Sequence, residues 1–244
     1  MMRALRRWTI LLVVLAGLAM LALLLWGWAR RNPQDVPWAP LDLGQPVGMF
    51  TGRKLTALTR DKAQCMGLLD RAGIRYNALP GRSDGAQCGY DDAVRFTPGG
   101  ARAIRYQPAT LGISCPVAAS LALWEWDAVQ PAARELLGST VVAVDHLGSY
   151  NCRRISGRSG SDWSEHARAN AVDIAGFRLK DGRRISVVRD WKDKGAAGQF
   201  LHRVRDRACD LFATTLSPDY NAAHADHFHL DQAYRGAMGW RACR

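Results

Sequence analysis

Three of the six histidines fall within six residues, in the run His224-Ala225-Asp226-His227-Phe228-His229. On a strand, residues two apart share a face, so His227 and His229 would point together. Asp226 would face away unless a bend or the strand start brings it in. A second run, Ser164-Glu165-His166-Ala167-Arg168-Ala169-Asn170-Ala171-Val172-Asp173-Ile174, places a histidine before an apolar segment and an acid inside it. A carboxylate in the middle of an apolar strand is costly to bury without a partner. A metal ion is one such partner. An ion pair with one of the many arginines, or a hydrogen-bonded structural role, is another, and these residues alone leave the choice open. Imidazole and carboxylate ligands suit zinc and also other ions. No H-E-x-x-H or P-loop pattern occurs, which excludes thermolysin-type and NTPase templates. His146 and His202 stand apart from both runs and read as structural or exposed.

The elements that must carry these residues follow from periodicity. Ala171 to Leu179 reads as a strand, Asp181-Gly182 as a turn, and Ile185 to Val188 as its returning partner. His227 to Leu230 is the final strand candidate, and Val141 to Val144 a buried one. Arg60 to Ala72 reads as a helix with Cys65, Leu68, Leu69 and Ala72 on one face and Gly73 as its stop. The longest helical pattern opens at Ser114-Cys115-Pro116 and ends at Gly138, with a kink or restart expected at Pro131. Phe200, Leu201, Val204, Ala208, Leu211 and Phe212 form a helical stripe beside Cys209. Helices and strands mix without βαβ regularity, which predicts an α+β fold. The expected architecture is a small antiparallel sheet carrying the metal site with flanking helices, preceded by one N-terminal transmembrane helix.

That helix is read from residues 1–31. Arg3, Arg6 and Arg7 precede an uncharged apolar run of 21 residues from Trp8 to Trp28, and Arg30 and Arg31 follow. Such a run spans roughly 30 Å as a helix, the thickness of a hydrocarbon core. Trp8, Trp26 and Trp28 sit near its ends, where interfacial aromatics belong. It exceeds the apolar region of a cleaved signal, and no small-x-small cleavage site follows, so an uncleaved anchor is expected. The positive-inside rule places the N-terminus in the cytoplasm. Residues 32–56, with Pro33, Pro37, Pro40 and Pro46, read as a linker, and 57–244 as the domain. All six cysteines follow the anchor and none forms a C-x-x-C pair, which predicts three disulfides in an oxidising compartment. The expected location is the inner membrane, single-pass, with the domain in the periplasm. Net charge is +11, but without the five anchor arginines 28 basic residues face 22 acidic ones, a net of +6. These charges are scattered, so no nucleic-acid partner is expected.

H-x6-D followed much later by D-x-x-H with H-x-H resembles the zinc peptidases grouped as lysostaphin, D-Ala-D-Ala metallopeptidase and hedgehog-like proteins. Ser164-x-His166-x2-Ala169-x-Ala171-x-Asp173 is similar to their S-x-H-x-x-G-x-A-x-D motif, with Ala169 in place of glycine. From about residue 60 to 243 the chain resembles the bacterial extensin-like C-terminal domain family. Ser149-Tyr150-Asn151-Cys152-Arg153, Ser164-Glu165-His166-Ala167, Asp173-Ile174-Ala175-Gly176-Phe177 and His224 to Asp231 carry that resemblance. The family name implies no plant-like glycoprotein, since no Ser-Pro-rich repeat is present.

The resemblance implies three Zn2+ ligands, His166, Asp173 and His229, with a fourth position open. It implies Asp226 as the base, His227 as oxyanion stabiliser or proton partner, and Arg153 as a donor to substrate carboxylate or oxyanion. Arg154, His224 and Ser164 are the substrate-facing candidates. Cys152–Cys209 is the pairing that would hold the arginine loop near the metal. The activity so implied is zinc-dependent hydrolysis of peptide bonds in peptidoglycan stem peptides, by a carboxypeptidase or an endopeptidase. The alternative is a non-catalytic, metal-containing cell-envelope protein that binds peptidoglycan. The expected partners are peptidoglycan peptides, and the membrane through the N-terminal helix.

Overall fold

The computed structural model describes residues 2–155, 160, 162–236 and 239–244. The apolar run forms α1 (Met2–Arg31), whose stretch Leu5–Arg31 is long and apolar enough to cross a membrane and has no residue buried against the rest of the chain. Such a helix is consistent with a single-pass anchor or a signal sequence. Beyond it the chain runs through α2 (Thr51–Ala57), α3 (Lys62–Arg71), β1 (Ile74–Ala78), β2 (Arg82–Ser83), β3 (Gly89–Tyr90), β4 (Ala93–Gly100), β5 (Arg105–Gln107) and β6 (Ile113–Ser114). There follow α4 (Cys115–Trp124), α5 (Gln130–Leu137), β7 (Val141–Gly148), β8 (Ala171–Leu179), β9 (Arg184–Ser186), α6 (Val187–Asp190), α7 (Ala196–Leu211), β10 (Thr214–Leu216), β11 (Phe228–Asp231) and β12 (Ala242–Cys243).

The class is mixed α+β, but the main sheet is larger than expected and not purely antiparallel. Its strands run β12-β10-β11-β8-β7-β5, with β9 also paired to β8, and β5–β7 and β10–β12 are parallel. Its parallel rim strands have two or three residues each, too few for an alternating pattern to show in sequence. A second sheet, β1-β4-β6, and a small hairpin of β2 and β3 lie apart from it.

One face of the main sheet is covered by helices. α4 is buried along its whole length, as a helix apolar on every side must be. Trp124 reaches across to donate its indole N–H to the Val204 carbonyl at 2.8 Å, and Phe177 of β8 packs between Trp124 and Phe200. The restart expected at Pro131 takes a definite form. Proline has no N–H for the carbonyl four residues back, and the helix widens into a π-turn over Glu125–Val129 before α5 begins. Gly138 then ends α5 in the left-handed conformation.

The proline-containing segment expected as a linker contributes to this core instead of standing free. Val36, Leu41, Leu43 and Leu55 are buried, and Gln34 accepts the Phe50 N–H through its backbone carbonyl. Its apolar residues have a surface to cover, and proline in irregular backbone does not prevent that.

Three disulfides form, as the cysteine count implies: Cys65–Cys115, Cys88–Cys152 and Cys209–Cys243. The Cys152–Cys209 pairing is therefore incorrect. Cys209, on α7, lies beside β12 and bonds to Cys243, while Cys152 faces the β2–β3 hairpin.

Candidate metal centre

The site grows from β8 and β11. Their antiparallel register places Asp173 directly opposite His229. Val172 and Ile174 on one strand, and Phe228 and Leu230 on the other, are buried on the helical side, so alternation turns Asp173 and His229 to the opposite face. His166 arrives from a 3-10 turn, Glu165–Arg168, capped by Ser164, whose Oγ accepts the His166 N–H at 3.3 Å. Ala169 ends that turn at φ 54°, a left-handed conformation that favours glycine.

The three groups meet closely. His166 Nε2 lies 3.1 Å from His229 Nδ1 and 3.2 Å from Asp173 Oδ2, and His229 Nδ1 lies 3.1 Å from Asp173 Oδ1. The outer nitrogens are tied down. His166 Nδ1–H donates to the Ser149 carbonyl at 2.5 Å, and His229 Nε2–H donates to Asp231 Oδ2 at 3.0 Å. A carbonyl only accepts. Neutral rings held this way therefore present lone pairs inward, towards each other and towards a carboxylate. Three acceptors and no donor converge, so a cation is needed among them.

Without a metal that cation is a proton. Burial opposes ionisation of Asp173, but the imidazoles of His166 and His229 hold its carboxyl far below the usual range. Burial likewise opposes charging of His229, yet its hydrogen bonds to Asp173 and Asp231 push its pKa up to about 9. A single ion fits as well. In a tetrahedral zinc site with bonds of 2.0–2.2 Å the ligand atoms stand about 3.3 Å apart, close to the spacings here. His166, Asp173 and His229 could together hold one metal ion.

Of the other expected residues, His227, Asp226 and His224 lie beside this cluster. His227 turns Nε2 to within 3.6 Å of Asp173 Oδ1, and its Nδ1–H donates to Asp226 Oδ1 at 2.7 Å. Asp226 is exposed and meets His227 beside the strand start. His224 is half-buried, with its ring 5.2 Å from His227 and 5.9 Å from His229, and Nδ1–H donating to Asn221. Burial, then the neighbouring His227 and His229, lower its pKa to about 4. Arg153 is exposed on the loop after Tyr150, near enough to His224 to add to that lowering. Arg154 lays its guanidinium over the Trp163 ring at 4.7 Å. His146 and His202 serve elsewhere, bonding the Pro108 and Trp191 carbonyls.

The arginine loop is held by its neighbours. Cys88–Cys152 ties it to the β2–β3 hairpin, Tyr150 donates its hydroxyl to Asp84 at 2.7 Å, and Arg82 stacks on the Tyr150 ring. Two contributors escaped the sequence reading. Asp231 follows His229 by two residues and shares its face, a period-two signal that could have been used. Ser149 contributes through its backbone carbonyl, for which side-chain chemistry gives no cue.

The family model described as Extensin-like protein C-terminus matches residues 63–244, and the chain belongs to that family. No curated protein and no solved structure matches it.

Proposed function

We propose that this extensin-like chain is a zinc-dependent hydrolase of peptide bonds in peptidoglycan stem peptides, held at the membrane by α1 with its domain in the periplasm. The observation that carries the metal is the convergence of His166 Nε2, His229 Nδ1 and Asp173, with both histidine tautomers set from behind by Ser149 and Asp231. Carboxylate and carbonyl partners of this kind are what zinc-binding histidines commonly have. The resemblance of H-x6-D and H-x-H to the zinc peptidases supports the reaction class, and the membrane-anchor reading with three disulfides supports the envelope setting.

His166, Asp173 and His229 would hold the ion. Zinc supplies Lewis acidity, making water nucleophilic near neutral pH and polarising a carbonyl. His227 is placed to move protons. With Nδ1–H engaged by Asp226, its Nε2 accepts a proton as water adds to the scissile carbonyl, and returns it to the departing amine nitrogen. Asp226 then orients His227 and stabilises its charged form, a role better matched to its contacts than that of direct base. Arg153, exposed at the rim, offers a guanidinium to a stem-peptide carboxylate or to the developing oxyanion. His224, kept neutral by its surroundings, lines the same rim.

The test is cleavage of purified muropeptides followed by mass spectrometry. Wild type should release a defined peptide product, and His166→Ala and Asp173→Ala should release none and retain no zinc. Cleavage persisting in both variants with chelator present would remove the proposal. Binding of muropeptides with zinc retained and no product from wild type would favour the non-catalytic binder.

A further inference from the structure

Independently of the histidine cluster, the segment that follows α1 helps enclose a cavity of about 590 Å³. Five cationic residues line it: Arg53, Lys54, Arg60, Arg235 and Arg241. Among the described residues, none of the five has a carboxylate within ion-pair distance, although nine other arginines of the domain do. Their hydrogen bonds go to neutral groups, and Asp35 and Asp210 act on Lys54 and Arg241 only from beyond ion-pair distance. Arg60 meets the Tyr234 hydroxyl at 3.0 Å, Arg235 donates to the Thr214 hydroxyl at 2.7 Å, and Arg241 donates to the Phe212 carbonyl at 2.6 Å. Nε of Arg241 is buried with no acceptor. Five like charges gathered around one cavity repel one another and call for an anion.

The setting says which anion. Lys54 donates to the Pro33 carbonyl at 2.7 Å, two residues beyond the end of α1. Pro37, in the cavity wall, is six residues beyond that end, a reach of at most about 20 Å. Trp38 is 76% exposed, Met49 79% and Trp240 67%. Trp38 adjoins Pro37, Met49 adjoins Phe50, and Trp240 is itself in the wall. Tryptophan beside basic residues at the end of an apolar helix is the composition of a membrane interface. A freely soluble phosphate would have no use for these exposed apolar side chains.

We propose that this cavity receives the phosphate headgroup of an anionic phospholipid from the membrane that α1 enters, seating the domain against the bilayer surface. The proposal rests on α1 remaining attached, and not on hydrolase activity.

The test uses the full-length chain in mild non-ionic detergent. It is titrated with phosphatidylglycerol, phosphatidylcholine and inorganic phosphate, with retained lipid counted by native mass spectrometry. Saturable retention of phosphatidylglycerol over phosphatidylcholine is expected. A basic residue near an anionic surface contributes about fivefold in affinity, so Arg53→Gln with Arg60→Gln should weaken it about 25-fold. Both side chains are exposed, and thermal unfolding and zinc content should stay at wild-type values. Arg241→Gln, at the buried guanidinium, should weaken retention as well. Equal retention of the two lipids, or wild-type retention by the double variant, would overturn the proposal. So would displacement of the lipid by inorganic phosphate at comparable concentration, which would make this a soluble-phosphate site.

Discussion

Asp231→Asn separates a metal centre from a buried polar cluster without touching a proposed ligand. Asp231 accepts twice: Oδ1 from the Ala233 N–H at 2.9 Å and Oδ2 from His229 Nε2–H at 3.0 Å. An asparagine amide has one oxygen, so its NH2 must face one of these donors. If it faces Ala233, a part-buried N–H loses its acceptor. If it faces His229, the ring must move its proton to Nδ1, the atom directed at Asp173 and His166. A hydrogen bond to a charged group contributes about 1.5–3 kcal/mol, and loss of such outer partners commonly lowers metal affinity about 10–100-fold. The two magnitudes agree, since tenfold corresponds to about 1.4 kcal/mol. Zinc affinity measured by competition with a chromophoric chelator should therefore fall at least about tenfold while the circular dichroism spectrum stays native. An affinity within twofold of wild type would refute the argument that Asp231 sets the His229 tautomer for a ligand.

Other perturbations have expected outcomes of their own. Glu125 pairs with Arg102 at 3.0 Å with both side chains nearly inaccessible, so Glu125→Gln strands a buried guanidinium and should cost about 3–5 kcal/mol in chemical denaturation. An unchanged unfolding midpoint would contradict that. Ala169→Gly relieves a left-handed strain of about 1–2 kcal/mol at the loss of one buried methyl, about 0.8 kcal/mol, so thermal unfolding should show a change of at most about 1 kcal/mol, in the stabilising direction. In metal-free protein the raised pKa of His229 contributes stability that is fully present below about pH 6.5 and is lost as pH rises through about 9. Denaturation at pH 6 and pH 10 should show this loss, and His229→Gln should reduce it. Zinc uptake at pH 7 displaces that proton, so buffer-dependent calorimetry should register net proton release.

Long periodic elements were legible from the chain. The strand read at Ala171 to Leu179 is β8, the stripe from Phe200 to Leu211 lies on α7, and Gly73 and Gly138 end α3 and α5. These carry many residues of one period, so the pattern outweighs any local exception. The rim strands β5 and β12 do not, because neighbours, not their own pattern, decide their pairing. Disulfide connectivity was illegible for a similar reason: which thiol Cys152 meets depends on where the β2–β3 hairpin lands. Within the site, His166, Asp173 and His229 were singled out as a set by the family resemblance, and the structure brings them together. The direction of Asp226 did not follow, since it lies just before β11, where alternation does not yet hold and a neighbouring imidazole captures the carboxylate.

The central claim, one zinc ion held by two imidazoles and a carboxylate, meets its most direct test in elemental mass spectrometry of the full-length protein. The protein would be stripped with chelator, returned to buffered micromolar zinc and separated from free metal. Close to one zinc per chain is expected for wild type, and close to none for His166→Ala, Asp173→Ala and His229→Ala. Wild-type protein that emerges without zinc, or alanine variants that keep it, would contradict the account.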